Sequence, residues 1–341
     1  MEKRDFDIIC RGISNWNMYR NSTILITGAT GRLGRYIIET FVDVDLKYNL
    51  NLRVLGLARN MSKVEDVFGN LLEFPNVKFI TQDVNESIEY DSDVDYIFHT
   101  AGPAAPMDFK KSSVNTLWAH VNGTHNVLEF AVKKHCKKVF YVSTVETYGN
   151  WESQKLIREE DMGPLQHFNA RACYPETKRL CETMLTCYKA SCGLDFCGVR
   201  LCHTLGPGIL LDDGRAFAEF IDNSIHGKNI VLRSDGSAMR TYTYTPDAVN
   251  AMFLVMERGN SGEMYNVANS DNLISIRDLA YLIARLSPHK DVKVEFSEEA
   301  NGMPYLPYHL PIMDTAKIRE LGWTPSTNLD DMFKWTIQSL I

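Results

Sequence analysis

The sequence predicts an α/β protein built on a doubly wound parallel sheet, with a smaller C-terminal α/β domain that binds substrate. Short apolar runs alternate with segments of helical periodicity through the first half of the 341 residues. Apolar residues form 45% and charged residues 23% of the chain, which is typical of a folded globular protein. Strands that alternate with helices form right-handed crossovers, which cover both faces of a parallel sheet.

Six strands are predicted in order, with helices between them. Apolar side chains at helical spacing follow the first strand, and longer helices are predicted over Ser113–Lys133 and residues 174–190. The strand candidates are Thr23–Thr27, Leu52–Leu57, Val77–Ile80, Tyr96–His99, Val139–Ser143 and Phe196–Leu201.

The strand–helix alternation ends near residue 203, which predicts a second unit. We expect residues 22–203 and about 235–270 to form a dinucleotide-binding domain. Residues of about 204–234 and 271–341 would form the smaller domain and cover the carboxyl ends of the strands, where ligands bind in open sheets. Residues 1–21 predict an amphipathic helical extension that packs on the core or forms an oligomer contact, with an apolar stripe of Phe6, Ile9, Ile13 and Trp16.

Charge and composition argue against several classes of protein. The net charge of -7 and the lack of a basic block disfavour a nucleic-acid partner. No apolar run approaches the ~20 residues that span a bilayer, and the N-terminus is too polar for a signal peptide. The eight cysteines form no C-x-x-C pair, so we expect reduced thiols, no metal site and a cytoplasmic protein.

A glycine-rich turn follows the first strand and opens a helix. It reads G-x-x-G-x-x-G, in which the glycines allow a tight turn, close approach to a pyrophosphate and close helix packing. The helix N-terminus adds unpaired N–H groups and a positive dipole. The sequence therefore predicts a dinucleotide site that includes Gly28, Thr30, Gly31, Arg32, Leu33 and Gly34.

The second strand leaves the choice between NAD and NADP open. The strand Leu52–Leu57 is followed by Ala58, Arg59 and Asn60, without the carboxylate that binds an NAD ribose. A guanidinium suits a 2′-phosphate and favours NADP, but Arg59 stacked on adenine or solvated would fit NAD equally. Asp83, beside Val84, is a candidate acceptor for the adenine amine, with a capping or loop role as the alternative.

A tyrosine and a lysine four residues apart predict acid–base chemistry. Tyr174 and Lys178 fall on one face of the predicted helix. A free phenol has a pKa of ~10, and a neighbouring ammonium favours the phenolate, so Tyr174 can take a hydroxyl proton while hydride leaves the same carbon. Thr144, at the end of the fifth strand, can hydrogen-bond the reacting oxygen. Lys178 can also hydrogen-bond the ribose of the nicotinamide cofactor.

Together these motifs resemble the extended short-chain dehydrogenase/reductases that act on nucleotide sugars, the NAD-dependent epimerase/dehydratase family. The resemblance covers about residues 22–335 and implies a Rossmann-like domain, an NAD or NADP cofactor, a nucleotide-diphosphate sugar substrate and a homodimer. It adds Thr100, Ala101 and Gly102 to the cofactor site. The matching segments include Asp83-Val84, His99–Gly102, the Thr144 segment, Tyr174/Lys178 and Leu321–Pro325.

Within this family the chain looks most like the UDP-glucuronate decarboxylases. The matching segments are residues 171–184, 212–215 and 236–247. The resemblance implies that Arg215 and Arg240 bind the diphosphate, although either can be a structural ion pair. Glu146 matches the decarboxylase glutamate and would orient substrate or move a proton, or serve only as a buried hydrogen-bonding group. Val145 stands in place of an acid that 4,6-dehydratases carry, which disfavours that reaction.

Several positions depart from the family pattern. His203 stands where the family usually has an asparagine that faces the sugar–pyrophosphate, so it is a candidate substrate-binding residue. His120 also replaces a usual asparagine, and Gly208 stands where decarboxylases carry arginine. Segment 102–111 lacks an expected tyrosine. These changes indicate a different sugar or a different outcome, or the histidines are ordinary core residues.

The expected reaction is oxidation of a sugar hydroxyl, most often at C4, to a ketone. Decarboxylation or epimerisation would follow. The alternatives are an NADPH-dependent reductase of a nucleotide-linked keto sugar and, less favoured, a non-catalytic protein that senses dinucleotide.

Overall fold

Fourteen strands and eleven α-helices form within residues 1–151, 155–297 and 310–341, the part of the chain that the computed structural model describes. The strands are β1 (Thr23–Thr27), β2 (Arg53–Ala58), β3 (Val77–Thr81), β4 (Tyr96–His99), β5 (Lys138–Thr144), β6 (Leu156–Ile157), β7 (Phe196–Leu201), β8 (His203–Leu205), β9 (Ile230–Leu232), β10 (Met239–Tyr244), β11 (Glu263–Val267), β12 (Leu273–Ser275), β13 (Val294–Phe296) and β14 (Ile312–Met313). The helices are α1 (Lys3–Cys10), α2 (Arg32–Tyr48), α3 (Met61–Phe68), α4 (Pro106–Lys111), α5 (Ser113–Lys133), α6 (Cys173–Cys192), α7 (Ala216–Ile225), α8 (Thr245–Arg258), α9 (Ile276–Leu286), α10 (Ala316–Glu320) and α11 (Leu329–Gln338).

Seven parallel strands form the central sheet, in the order β11-β7-β5-β4-β1-β2-β3. The predicted fold class is confirmed, and all six predicted strands are present with bounds that differ by one residue at most. The edge strand β11 was not predicted. The strand order reverses between β1 and β4, and this switch point opens a crevice at the carboxyl ends of the strands.

The core of the central sheet is aromatic on one face. All five residues of β1 are buried, as expected for a strand covered on both sides. The ring centroid of Phe41 on α2 lies 5.6 Å from that of Phe98 on β4 and 5.2 Å from that of Phe253 on α8. Residues 245–256 of α8 are all buried, because the helix packs against β7 of the central sheet and against α1. This packing fixes where the ends of β1 and β4 lie.

A second apolar cluster lies outside the central sheet. Strands β12, β10 and β8 form a three-stranded sheet, and α7, α9 and α11 pack together beside it. Its buried residues include Phe217, Tyr242, Leu279 and Phe333. The three helices and β12 belong to the segments predicted as the smaller domain, whereas β10 lies within residues of about 235–270, which were predicted for the dinucleotide-binding domain. The bounds of the two domains stay a prediction.

The N-terminal segment forms a shorter helix than predicted. Helix α1 ends at Cys10, because Arg11 is extended and Gly12 has a φ of 73°. Trp16 is buried in a separate 3-10 turn, with its ring 5.1 Å from that of Phe253. The expected single helical stripe through Ile13 and Trp16 is therefore wrong, although the segment does pack on the core.

The buried carboxylate of Asp5 joins this segment to two other elements. It accepts hydrogen bonds of 2.9 Å from the hydroxyls of Tyr36 on α2 and Tyr244 on β10. Arg4 also donates to Asp5, and its guanidinium lies 4.0 Å from the ring centroid of Trp335 on α11. The segment thus contacts both the central sheet unit and the second cluster.

No helix within the described ranges is long and apolar enough to cross a bilayer.

Candidate active site

The glycine turn approaches the end of β4 so closely that side chains are excluded. A Cβ on Gly28, whose φ is 68°, would lie 2.8 Å from the Cα of Ala101. A Cβ on Gly34 would lie 2.4 Å from the carbonyl oxygen of Gly28. Helix α2 begins at Arg32 directly after this turn. The predicted residues of the turn and of segment 100–102 are therefore brought together.

Hydrogen bonds through a buried histidine fix this arrangement. The Nδ1 of His99 lies 2.8 Å from the hydroxyl of Thr27, and its Nε2 lies 3.1 Å from the hydroxyl of Thr124 on α5. Thr100 donates to the carbonyl of Thr27 at 2.7 Å. Burial and the charge of Lys178 lower the pKa of His99 to about 3, so the ring is neutral. Sequence reasoning did not find this role of His99 and Thr124.

Arg32 provides a test of whether the turn fits a dinucleotide. Its Nη2 donates to the carbonyl of Thr204 at 2.6 Å, whereas its buried Nε has no partner among the described residues. Burial and the nearby charge of Arg215 lower its pKa to about 10. A buried donor left unpaired beside a helix N-terminus fits a bound anion. Thr30 is partly exposed within the turn, and Leu33 packs against the core. The site therefore fits a pyrophosphate.

The other predicted cofactor residues lie beyond β2 and β3. Arg59 is exposed just after β2. The carboxylate of Asp83 accepts from the backbone N–H of Asn85 at 2.9 Å, so it already caps a turn. Val84 is buried, and a Cβ on Gly123 would lie 2.9 Å from its Cγ1. These positions leave the choice of NAD or NADP open.

Tyr174 and Lys178 are both buried on one face of α6. The Nζ of Lys178 donates to the carbonyl of Val142 at 2.8 Å, and burial lowers its pKa to about 8. Burial and, next, the charge of Glu146 raise the pKa of Tyr174 to about 12, while a hydrogen bond with Thr144 acts in the opposite direction. The predicted catalytic groups Tyr174, Lys178 and Thr144 therefore lie together at the end of β5.

Two aromatic rings hold the ring of Tyr174 in place. Phe109 on α4 stacks on it with a centroid separation of 4.6 Å and an interplanar angle of 20°. The ring of His120 on α5 lies 5.4 Å away, and its Nε2 lies 2.9 Å from the carbonyl oxygen of Pro103. A carbonyl only accepts, so Nε2 carries the proton of the neutral ring. The contact of Phe109 with Tyr174 was not predicted, although the presence of an aromatic residue in the sugar-facing segment 102–111 could have indicated it.

Glu146 is paired with an arginine that sequence reasoning left without a role. Both oxygens of Glu146 accept from Nη2 of Arg171, at 2.8 and 2.9 Å. The guanidinium of Arg171 lies 4.7 Å from the ring centroid of Phe109. Arg171 belongs to the motif of residues 171–184, but nothing in the sequence shows which carboxylate faces it.

The predicted substrate residues form a second cationic group. Arg215 pairs with Asp213 at 2.8 Å and donates to the carbonyl of Ala104. Arg240 donates to the carbonyl of Met239 at 2.7 Å. Burial, followed by the charges of Arg240 and Arg215, lowers the pKa of His203 well below its usual value. The structure therefore brings His203 close to both arginines.

All eight cysteines have free thiols. Within the described ranges no group of three His, Cys, Asp or Glu side chains is arranged to bind a metal ion.

Comparison with known proteins gives the family of this chain. Residues 24–268 match the model of the NAD dependent epimerase/dehydratase family. UDP-glucuronic acid decarboxylase 6 of Arabidopsis thaliana is 28% identical over 313 residues, which cover 91% of this chain and 86% of the relative. UDP-glucuronic acid decarboxylase 1 of Danio rerio is 30% identical, with 92% and 72% covered.

A solved structure agrees with this result. UDP-glucuronic acid 4-epimerase from Bacillus cereus, in complex with NAD, superposes with a TM-score of 0.75 at 20% identity and covers 93% of this chain and 98% of that one. At this identity the likeness concerns the fold. The family match spans the glycine turn, Thr144 and the Tyr174/Lys178 pair, and the chain therefore belongs to the NAD-dependent epimerase/dehydratase family of enzymes that act on nucleotide sugars.

Proposed function

We propose that this enzyme oxidises C4 of a nucleotide-linked glucuronate and releases its carboxyl group as carbon dioxide, as a UDP-glucuronate decarboxylase does. The observation that carries the proposal is the cluster of Thr144, Tyr174 and Lys178 with the carboxylate of Glu146 close enough to affect the pKa of Tyr174. The decarboxylase relatives support it. Epimerisation at C4 begins with the same oxidation.

In this proposal each residue of the cluster has its own role in proton transfer. Tyr174 as phenolate takes the proton of the C4 hydroxyl, and the charge of Lys178 favours the phenolate. A bound oxidised dinucleotide would supply the acceptor for the C4 hydride and, once reduced, the donor for its return. The C4 ketone makes the sugar a β-keto acid, so the bond from C5 to the carboxyl carbon breaks and its electron pair passes into the enolate. Thr144 and Tyr174 hydrogen-bond the enolate oxygen while solvent water supplies a proton to C5 and restores the C4 ketone. Tyr174 then returns its proton to the C4 oxygen as the ketone is reduced.

The proposal also assigns the residues that bind the dinucleotide and the substrate. We propose that Gly28, Gly31, Gly34 and Arg32 hold the dinucleotide pyrophosphate, with Thr30, Leu33, Asp83, Val84 and Thr100–Gly102 around it. Arg59 would contact the adenosine ribose and, with NADP, its phosphate. Arg215, Arg240 and His203 would bind the substrate diphosphate, with residues 22–203 and about 235–270 as the dinucleotide domain.

We propose a cytoplasmic homodimer, as the family resemblance implies. Three large apolar side chains on α5 and α6 support the dimer, because Val114, Trp118 and Leu180 are 63%, 51% and 46% exposed. Light scattering coupled to size exclusion measures the mass. A monomer at micromolar concentration would contradict the dimer.

The test is mass spectrometry of the nucleotides that copurify, followed by incubation with UDP-, CDP-, GDP- and dTDP-sugars. We expect UDP-glucuronate to yield carbon dioxide and a UDP-pentose without net consumption of dinucleotide. Replacing Tyr174 with Phe should abolish turnover and retain dinucleotide affinity. A UDP-galacturonate product would identify an epimerase. Consumption of NADPH with a keto sugar would identify a reductase and contradict decarboxylation.

A further inference from the structure

The imidazole of His203 on β8 has no hydrogen-bond partner among the described residues. The backbone carbonyl of His203 accepts from the thiol of Cys202, and its ring packs against that of Tyr242 with a centroid separation of 5.6 Å. The side chain is only partly exposed. Polar groups removed from water are usually hydrogen-bonded, so this ring offers both of its nitrogens to a ligand.

The cavity beside His203 extends from the end of β5 to Arg240. It holds ≈ 300 Å³ of empty space, and its walls include Val145, His203 and Arg240. Val145 directly follows Thr144. In the register of the small sheet His203 is paired with Tyr242, and Arg240 lies two positions before Tyr242 on the same face of β10. A ligand that reaches from Thr144 to Arg240 therefore lies beside His203.

Two arginines repel a proton from the His203 ring. Burial is the largest effect that lowers the pKa of His203, followed by the charge of Arg240 and then that of Arg215, so the ring by itself is neutral. Asp213 lies 2.8 Å from Arg215 and offsets part of that charge. Arg240 donates to a backbone carbonyl and has no carboxylate partner within the described ranges. The ring thus faces a net positive charge.

The other titratable groups beside the ring are neutral within the part of the chain that the structure describes. Burial raises the pKa of the Cys202 thiol to about 12, and it raises the pKa of the Tyr242 phenol as well. The remaining side chains that line the cavity are apolar or carry a hydroxyl. A bound diphosphate, with one negative charge on each phosphate, would therefore reverse the sign of the charge that faces His203.

We propose that His203 takes up a proton from solvent when the substrate diphosphate binds, and then donates a charge-assisted hydrogen bond to a phosphate oxygen. This inference rests on the proposed function and adds a proton to the binding of its nucleotide-diphosphate substrate. Asparagine, which the family resemblance places at this position, can donate a hydrogen bond but cannot take up a proton. Because proton and substrate assist each other, substrate affinity should increase as the pH falls.

Calorimetry of UDP-glucose binding in buffers of different ionisation enthalpy counts the protons taken up. UDP-glucose has no terminal phosphate group, whereas the terminal phosphate of UDP would itself titrate near pH ~6. The experiment uses the Tyr174→Phe protein with NAD present, so that neither turnover nor the phenol alters the count. We expect uptake of up to about one proton per ligand, and a Kd lower by roughly threefold or more at about pH 6 than at about pH 8. A count of zero with a constant Kd would overturn the inference.

Variants at two histidines identify the group that takes the proton. His203→Asn retains a hydrogen-bond donor and should abolish both the uptake and the pH dependence of Kd. His203→Gln should behave in the same way and serves if the asparagine variant does not fold. His226→Asn is the matched control, because His226 is exposed at the end of α7 beside Asp222, and it should retain the uptake. Uptake that survives replacement of His203 would refute its role.

The outcomes also separate this inference from the proposed reaction. Carbon dioxide release from UDP-glucuronate together with a proton count of zero would retain the reaction and refute the role of His203. Proton uptake that depends on His203, without carbon dioxide release, would retain the role of His203 and refute decarboxylation. Failure of UDP-sugars to bind at all would overturn both.

Discussion

Opposing charges act on the proton of Tyr174. Glu146 raises its pKa, whereas Arg215 and Arg171 lower it. Burial raises this pKa the most, the charge of Glu146 comes next, and the effect of Arg171 is smaller than that of Arg215. Small changes on either side should therefore alter the fraction of phenolate at neutral pH.

The first prediction concerns the pH dependence of proton removal. The rate should rise with pH as the phenolate forms, and Glu146→Gln should move this rise to lower pH because a negative charge is removed. Arg171→Gln should move it to higher pH. Single-turnover absorbance of reduced dinucleotide as a function of pH measures both. Shifts of the same sign in the two variants would contradict this electrostatic account.

Lys178 gives a second prediction, on stability of the apoprotein. Its pKa falls from 10.5 to about 8 on folding because of burial, so the unfolded chain binds more protons between these values. Burial of the charge costs the most below pH 8, and the cost diminishes toward pH 10.5. The difference in unfolding free energy between Lys178→Met and wild type should therefore change by on the order of 3 kcal/mol across this range. Urea unfolding at several pH values measures it.

The urea measurement has a matched control variant. Lys110→Met replaces an exposed lysine on α4 and should give a difference that does not depend on pH. A constant difference for Lys178→Met as well would mean that Lys178 is solvated in the fold.

Some contacts within the site could be predicted from the sequence, and others could not. Tyr174 and Lys178 are four positions apart on one helix, so their proximity follows from helix geometry alone. Glu146 and Arg171 are 25 positions apart in the sequence, and Phe109 reaches Tyr174 from another helix. Those contacts depend on how α4 and α6 pack, which no local pattern encodes. The roles of all these residues remain predictions.

At the scale of elements, the first turn of α2 depends on two glycines to different degrees. A Cβ on Gly34 would meet the backbone oxygen of Gly28 at 2.4 Å, whereas one on Gly31 would lie 3.1 Å from the same atom. Gly34→Ala should therefore force α2 away from β1 and cost ~1–3 kcal/mol of stability. Gly31→Ala should weaken dinucleotide binding with little loss of stability.

Thermal unfolding and dinucleotide titration by fluorescence measure this third prediction. Reduced binding is expected in both variants, and a clear loss of stability only in Gly34→Ala. Equal stability of the two variants would mean that the turn relaxes around the added methyl group.

Strands and helices with a strong apolar pattern could be predicted from the sequence, whereas strands of two or three residues could not. Five of the six predicted strands are almost wholly buried apolar runs, for which composition and length suffice, and β3 is the exception with only Val77 buried. Strands of two or three residues, such as β6 and β9, take their conformation from a partner strand far along the chain. The N-terminal stripe matched a helical period over 1–21, but the extended backbone at Arg11 divides it.

At the scale of the whole molecule, Asp5 joins three elements that are distant in sequence. Asp5→Ala would leave the hydroxyls of Tyr36 and Tyr244 without their acceptor and should cost ~2–4 kcal/mol of unfolding free energy. Asp7→Ala, an exposed neighbour on the same helix, should cost little. Urea unfolding measures both, and a negligible effect of Asp5→Ala would mean that water replaces the carboxylate.

The nearness of Arg32 to Arg215 has a thermodynamic consequence for ligand loading. Burial and, next, the charge of Arg215 lower the pKa of Arg32, so the two cationic side chains are close enough for Arg215 to repel the charge of Arg32. A diphosphate bound at one arginine relieves this repulsion at the other, and linkage requires each ligand to raise the affinity of the other by the same factor. UDP should therefore bind more tightly with dinucleotide present, and Arg215→Gln should reduce that gain. Two anions would thus assist each other's binding in a protein whose net charge is negative.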